Sequence, residues 1–257
     1  MELQGICAVI TGGASGLGEA TARRLLKKGA KGVACLDLNA EAGARLANEF
    51  GDALLYVQTD VSDEASVNAA VEQAAARFGH IDVAVSAAAI GGPAKLLSKS
   101  GPIPMEKFDC VLKVNLYGTV HLMRACAAQM AKNTPNTDGE RGVLVNVASG
   151  AAWEGQSGQL AYSAPKAAIV GMTLPLTREL AAFGIRVMAV APGAFDTPMY
   201  EQVPPAVKET LVAQSLFPKR MGQPDEFAMM IEEIVRNPMH NGMAIRLDAG
   251  LILSAGT

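Results

Sequence analysis

The chain has 257 residues, half of them hydrophobic, with few aromatics and a net charge of −3. That length and apolar content suit a large α/β domain with a sizeable core, and the lack of a basic stripe argues against a nucleic-acid partner. No segment reaches the ~18 apolar residues of a membrane span, and the scattered Cys7, Cys35, Cys110 and Cys126, with three histidines, offer no metal-ligand spacing.

Met1–Gly5 leads almost at once into a predicted strand, Ile6–Ile10, leaving no room for a leader and pointing to a cytoplasmic protein. A matrix protein relieved of its presequence would read the same way. Cys7, Cys35 and Cys126 lie in apolar settings and read as reduced core residues, which favours a reducing compartment. The strand is followed by Thr11-Gly12-Gly13-Ala14-Ser15-Gly16-Leu17-Gly18, which opens a predicted helix, Gly16–Lys28. Glycines there let backbone approach a pyrophosphate, and an open helix N-terminus favours an anion. The spacing is Gly-x-x-x-Gly-x-Gly, which by itself also fits a Gly-rich turn without a ligand.

A second strand, Gly32–Leu36, ends at Asp37, placed to bind a ribose 2′-hydroxyl and repel a 2′-phosphate, or simply to cap the next helix. No Arg or Lys stands beside it, which favours NAD over NADP. Helix Ala40–Phe50 and strand Leu54–Val57 follow. Asp60-Val61 then either meets an adenine or caps helix Asp63–Phe78. After strand Ile81–Val85, the Gly- and Pro-rich Gly91–Pro104 reads as a surface loop. Met105–Ala131 reads as one long helix and Asn133–Gly142 as a polar loop.

Strand Val143–Val147 leads to Ser149, at the carboxyl end where open α/β sheets hold ligands. Helix Ala161–Phe183 carries Tyr162 and Lys166 four residues apart, on one face. Pro175 inside it should kink the helix or be absorbed locally. Strand Arg186–Val190, helix Pro224–Arg236 and strand Met243–Leu247 complete the alternation. The pattern predicts a Rossmann-type, doubly wound parallel sheet of seven strands with helices on both faces, and a single domain over 1–257. Taken singly, Tyr162, Lys166 and Ser149 are an ordinary helix residue, a solvated charge and a cap. Their coincidence behind this glycine turn is far more specific.

With that turn, Asn115 in Lys113-Val114-Asn115-Leu116, Ser149, the Tyr162/Lys166 pair, and Pro192-Gly193 with Thr197, the chain resembles the short-chain dehydrogenase/reductase family over essentially its whole length. The resemblance implies a catalytic tetrad of Asn115, Ser149, Tyr162 and Lys166. It implies an NAD site at Gly12, Ser15, Gly16, Leu17, Gly18, Asp37, Asp60, Val61, Ala88, Tyr162, Lys166, Pro192, Gly193, Phe195 and Thr197, with Ser149, Gln156 and Tyr162 facing substrate. Asn115 would anchor a water linking Lys166 to solvent. One departure is Ser86-Ala87-Ala88-Ala89, where the family usually has Asn-Asn-Ala-Gly.

Ala151-Ala152-Trp153-Glu154-Gly155-Gln156, Gly171-Met172-Thr173-Leu174-Pro175, Phe217-Pro218 and Asn241-Gly242 look like the type II 3-hydroxyacyl-CoA dehydrogenases, an NAD-linked, homotetrameric subgroup that also oxidises some hydroxysteroids. Hydrophobic cyclic alcohols, steroids or general ketones are alternative substrates, and a non-catalytic NAD sensor is a third reading. Pro198–Phe217 resembles the family's lid over the substrate. In the tetramer, Met105–Ala131 and Ala161–Phe183 would form one interface and the last strand another. Lys95 and Lys99 either meet CoA phosphates or are simply solvated. A free Tyr titrates near ~10, so Lys166 and an oxidised nicotinamide are expected to lower the Tyr162 pKa and make it the base.

Overall fold

The computed structural model describes residues 1–201 and 203–255; Gln202, within the Pro198–Phe217 stretch, lies outside them. Seven parallel strands form the main sheet: β1 Cys7–Thr11, β2 Gly32–Asp37, β3 Leu54–Gln58, β4 Val83–Ser86, β7 Gly142–Val147, β8 Ile185–Pro192 and β9 Ala244–Leu247. Two short antiparallel strands, β5 Leu97–Ser98 and β6 Gly101–Pro102, form a hairpin inside the expected surface loop. The helices are α1 Gly16–Lys27, α2 Ala40–Phe50, α3 Glu64–Phe78, α4 Met105–Leu112, α5 Gly118–Met130, α6 Ala151–Glu154, α7 Leu160–Leu180, α8 Pro205–Gln214 and α9 Pro224–Arg236.

The strand order is β3-β2-β1-β4-β7-β8-β9. The order reverses between β1 and β4, and that switch point opens a crevice at the carboxyl ends of the strands. Side chains alternate across the sheet with period two. Ala8 and Ile10 of β1 therefore join a core with Leu25, Leu46, Phe227 and Ile231 of α1, α2 and α9. Cys7 and Val9 join the opposite core with Val67, Val71, Leu122 and Met123 of α3 and α5. Covering both faces is why the strands read as unbroken apolar runs. Asn39 and Asp63 start α2 and α3 by accepting from the Ala42 and Ala65 N–H groups, each at 3.0 Å.

One sequence expectation changes, and two open readings are filled in. Met105–Ala131 is not one uniform helix: a π-helical turn, Lys113–Tyr117, separates α4 from α5 and carries Asn115. Pro175 does not interrupt α7, which runs from Leu160 to Leu180 with Pro165 also inside it. The Pro198–Phe217 stretch contains α8. At the amino ends of β1 and β4, Cys7, His80 and Asp82 gather on the far side of the sheet from Ser149. There Asp82 is used structurally, accepting from the Cys7 N–H at 2.8 Å and pairing with His80 at 3.1 Å.

Candidate active site

The glycine turn is shaped by what passes over it. Gly12 has φ +64°, and a Cβ there would meet the Ala88 nitrogen at 2.8 Å. A Cβ on Gly18 would sit 2.2 Å from the Gly12 carbonyl oxygen, so α1 closes onto the turn only because that position is bare. Ser15, at the N-cap, is extended and its side chain makes no capping bond, leaving the first N–H groups of α1 open to an anion. Thr197, arriving after β8, packs against Gly16. Asp37 stands beside the turn: one carboxylate oxygen accepts from the Ala14 N–H at 3.0 Å, the other from the Asn39 N–H at 3.0 Å. Each oxygen has a further lone pair to offer. A glycine cradle, an open helix terminus and a held carboxylate fit a dinucleotide's pyrophosphate and ribose.

Some expected cofactor residues are used otherwise. Asp60 is exposed and accepts from the Ser62 N–H and hydroxyl at 2.9 and 2.7 Å, so its carboxylate serves its own turn. Val61 is buried beneath α5, its carbonyl bonded to His121 at 3.0 Å. Phe195 is 5% exposed, with its ring edge-on to Phe227 in the core, so its side chain is committed to packing. Gly193 bonds to the Leu247 carbonyl at 2.9 Å, which fixes the strand end beneath Thr197.

The departure Ser86-Ala87-Ala88-Ala89 is compensated locally. The Ser86 hydroxyl donates to Asn146 Oδ1 at 3.0 Å, and the Ala88 N–H donates to Thr11 Oγ1 at 3.3 Å. Thr11 and Asn146 hold this loop, roles that no local sequence pattern marks.

Lys166 is 2% exposed, and its Nζ donates to the Val147 carbonyl at 2.7 Å. The ammonium lies 5.7 Å from the centroid of the Tyr162 ring. Burial lowers its pKa to about 8. The Tyr162 phenol is pushed the other way, up to about 12, by burial first and by the neighbouring Tyr200 phenol second, with a Ser149 hydrogen bond pulling it back. The expected lowering by Lys166 is therefore not seen among the protein's own groups: burial dominates, and the one opposing pull comes from Ser149. Tyr200, in the Pro198–Phe217 stretch, is a site neighbour.

Asn115 is fully buried, and its amide is committed twice, accepting from the Ile90 N–H at 2.8 Å and donating to the Ile90 carbonyl at 3.0 Å. Its side chain clamps the strand β4 exit, so the amide is not free for the expected water, and its backbone carbonyl accepts from Thr119 at 2.9 Å. Ser149 caps the start of α6, accepting from the Ala151 N–H at 3.2 Å.

A cleft of about 470 Å³ is lined by Lys95, Leu96, Leu97, Gln156, Leu160 and Ser163 among others; it reaches the residue next to Tyr162 in the chain, while Tyr162 and Ser149 themselves do not line it. The Ser163 hydroxyl is buried there without a hydrogen-bond partner among the described residues. Gln156 lies on this rim, its amide donating to the Ser254 carbonyl at 3.0 Å. Trp153, Leu160 and Phe217 are exposed apolar groups.

A family model described as short chain dehydrogenase matches residues 6–208. The 3-hydroxyacyl-CoA dehydrogenase type-2 of Homo sapiens is 47% identical over 252 residues, 97% of this chain and 96% of that protein. The crystal structure of 3-hydroxyacyl-CoA dehydrogenase type-2 from Mycobacterium avium superposes with a TM-score of 0.93 at 40% identity, covering 99% of each chain. A 3-ketoacyl-(acyl-carrier-protein) reductase from Brucella melitensis, complexed with NADH, superposes at 0.87 with 33% identity, covering 98% of this chain and 100% of that one.

Proposed function

This chain belongs to the short-chain dehydrogenase family, and from that premise we propose that it interconverts a 3-hydroxyacyl-CoA and a 3-oxoacyl-CoA with NAD. It is an oxidoreductase of CH–OH groups acting on a small molecule. The observation that carries the reaction is the group at the end of β7: buried Lys166, half-buried Tyr162 and the Ser149 hydroxyl, beside the glycine turn. Relatives named for hydroxyacyl-CoA support the substrate class, as do the apolar rim and Lys95 at the cleft.

NAD, when bound, supplies the hydride acceptor or donor and, oxidised, a positive charge. Gly12, Ser15, Gly16, Leu17 and Gly18 would hold its pyrophosphate, Asp37 its adenosine ribose, and Thr197 with the Pro192-Gly193 backbone its nicotinamide end. Ser149 hydrogen-bonds the substrate oxygen and orients it. Tyr162 takes the alcohol proton on its phenol oxygen in oxidation and returns it in reduction, assistance typically worth ~10²–10⁴ in rate. Lys166 keeps a cation beneath that phenol, oriented by the Val147 carbonyl. With the protein's own groups leaving the phenol at about 12, Tyr162 acts as the base where a further positive charge lies beside it, which an oxidised nicotinamide would supply.

The apolar Trp153, Leu160 and Phe217 favour a second reading, hydrophobic cyclic alcohols or steroids. We further propose a cytoplasmic homotetramer of single-domain chains; among the described residues no helix is long and apolar enough to cross a membrane. The deciding experiment follows nicotinamide absorbance with acetoacetyl-CoA. Rapid oxidation of NADH, with NADPH at least about tenfold slower because Asp37 repels a 2′-phosphate, is the expected result. Turnover only with cyclic ketones or steroids selects the second reading. NADH binding without turnover of any ketone overturns the enzyme reading in favour of a sensor.

A further inference from the structure

The tail after β9, Leu251–Ala255, does not hang free. It lies between two pieces of the site rim and bonds to both. At its root, Arg246 donates to the Leu251 carbonyl at 2.6 Å and to Glu154 at 2.5 Å, and stacks over Trp153 at 5.8 Å. Glu154 in turn accepts from the Leu253 N–H at 3.1 Å. Farther along, the Ser254 carbonyl accepts from the Gln156 amide at 3.0 Å, and the Ser157 N–H donates to the Ala255 carbonyl at 3.0 Å. On its other side, Ser254 exchanges two bonds with the last residue of α8: Gln214 Nε2 donates to its hydroxyl at 2.8 Å, and its N–H donates to Gln214 Oε1 at 3.4 Å.

Among the described residues, Ser254 is thus the single one bonded both to Gln156, on the cleft, and to α8, which follows the turn whose Tyr200 neighbours Tyr162. These bonds join parts of the chain far apart in sequence, and core packing does not require them: Gln156, Gln214 and Ser254 are all outside the buried core. Two amides on one serine fix the lateral position of α8 relative to Gln156.

We infer that Gln214 and Ser254 are positioning residues, a polar relay that sets α8 and the Gln156 amide against each other and so tunes how tightly the cleft holds its substrate. The substrate arm of this inference rests on the dehydrogenase reading proposed above; the relay does not. Two measurements test it on the full-length protein. The first is hydrogen exchange of the α8 amides, without substrate, in the wild type, Gln214→Leu, Ser254→Ala and the double variant. Each single variant is expected to speed α8 exchange about tenfold while α1 is unchanged, and the double variant to add little to Gln214→Leu, which already cuts both bonds where Ser254→Ala cuts only the hydroxyl's. The second is kinetics with acetoacetyl-CoA, where each single variant is expected to raise KM about fivefold with kcat within about twofold, the signature of lost uniform binding. The relay also predicts that adding Gln156→Leu to Gln214→Leu costs less than the two separately.

Unchanged α8 exchange in both single variants overturns the relay, and so do fully additive KM effects. If the wild type turns over no ketone, the dehydrogenase reading fails, and the exchange measurement alone still decides the relay.

Discussion

Lys166 takes an ammonium to 2% exposure in the core, a position that stability alone does not favour. Its pKa falls from 10.5 to about 8 on burial. At 1.36 kcal/mol per unit, holding the charged form there costs on the order of 3 kcal/mol. The sign follows from proton counts. Below pH ~8 both folded and unfolded chains carry the proton and the full cost is felt. Between about 8 and 10.5 the unfolded chain binds more protons than the folded one, so stability rises with pH through that window. Lys166→Met removes this cost at every pH but strips the Val147 carbonyl of its donor, a pH-independent loss of about 1–3 kcal/mol. Urea midpoints of the two proteins should therefore converge toward, or cross in favour of, the wild type as pH moves from 7 to 9.5. A difference that stays constant across that range would mean the lysine is not desolvated. Activity of the variant should fall at least ~10²-fold, the lower end for a lost acid–base partner.

Between the residue and the fold stands the π-turn Lys113–Tyr117, which turns Asn115 onto Ile90. Asn115→Leu keeps the volume but cuts both bonds, and should destabilise the chain by about 1–3 kcal/mol. It should also speed hydrogen exchange across Gly91–Pro104, the segment beyond the clamp, while α5 stays protected. Unchanged exchange there would mean that the amide does not hold the loop. The turn also marks where sequence reading ends. The sheet strands were legible because both faces are buried and their residues form apolar runs, and Asp37, Ser149, Tyr162 and Lys166 were legible because they follow strand ends or share a helix turn. Lys113-Val114-Asn115-Leu116-Tyr117 contains no Gly or Pro, so nothing in its composition distinguishes a π-turn from the helix on either side. The partners of Ser86, Asn115 and Gln156 were illegible for another reason: they lie 25 to 98 residues away and two are backbone groups. The Tyr162 pKa was misread because the sequence displays the charge of Lys166 but not the desolvation that opposes it.

At the scale of the whole molecule, the surface carries more large apolar side chains than one chain has use for. Met105 and Tyr117, on α4 and the π-turn, lie on elements packed beside α7, which presents Leu174, with Phe183 exposed in the short turn that follows α7. Met239, Met243 and Ile252 flank β9, with Met239 at 87% exposure. Large apolar side chains left exposed in this way mark contact sites where they adjoin, and a net charge of only −3 opposes association weakly. Two separate patches suit the proposed tetramer, since each can pair with its own copy about a different two-fold axis. Burying one Leu side chain in such an interface is worth about 1.5–3 kcal/mol, and in a symmetric contact the gain is taken twice. Leu174→Glu replaces it with a charge that burial would leave unpaired. Leu174 is 45% exposed and outside the core, so the chain itself should fold as before. Sedimentation velocity at micromolar concentration should then find the wild type at four chains and the variant at two, with unchanged far-UV circular dichroism. A wild type that sediments as a single 26.7 kDa chain would overturn the tetramer, and a variant that stays at four chains would move the interface off α7 and onto the patch around β9.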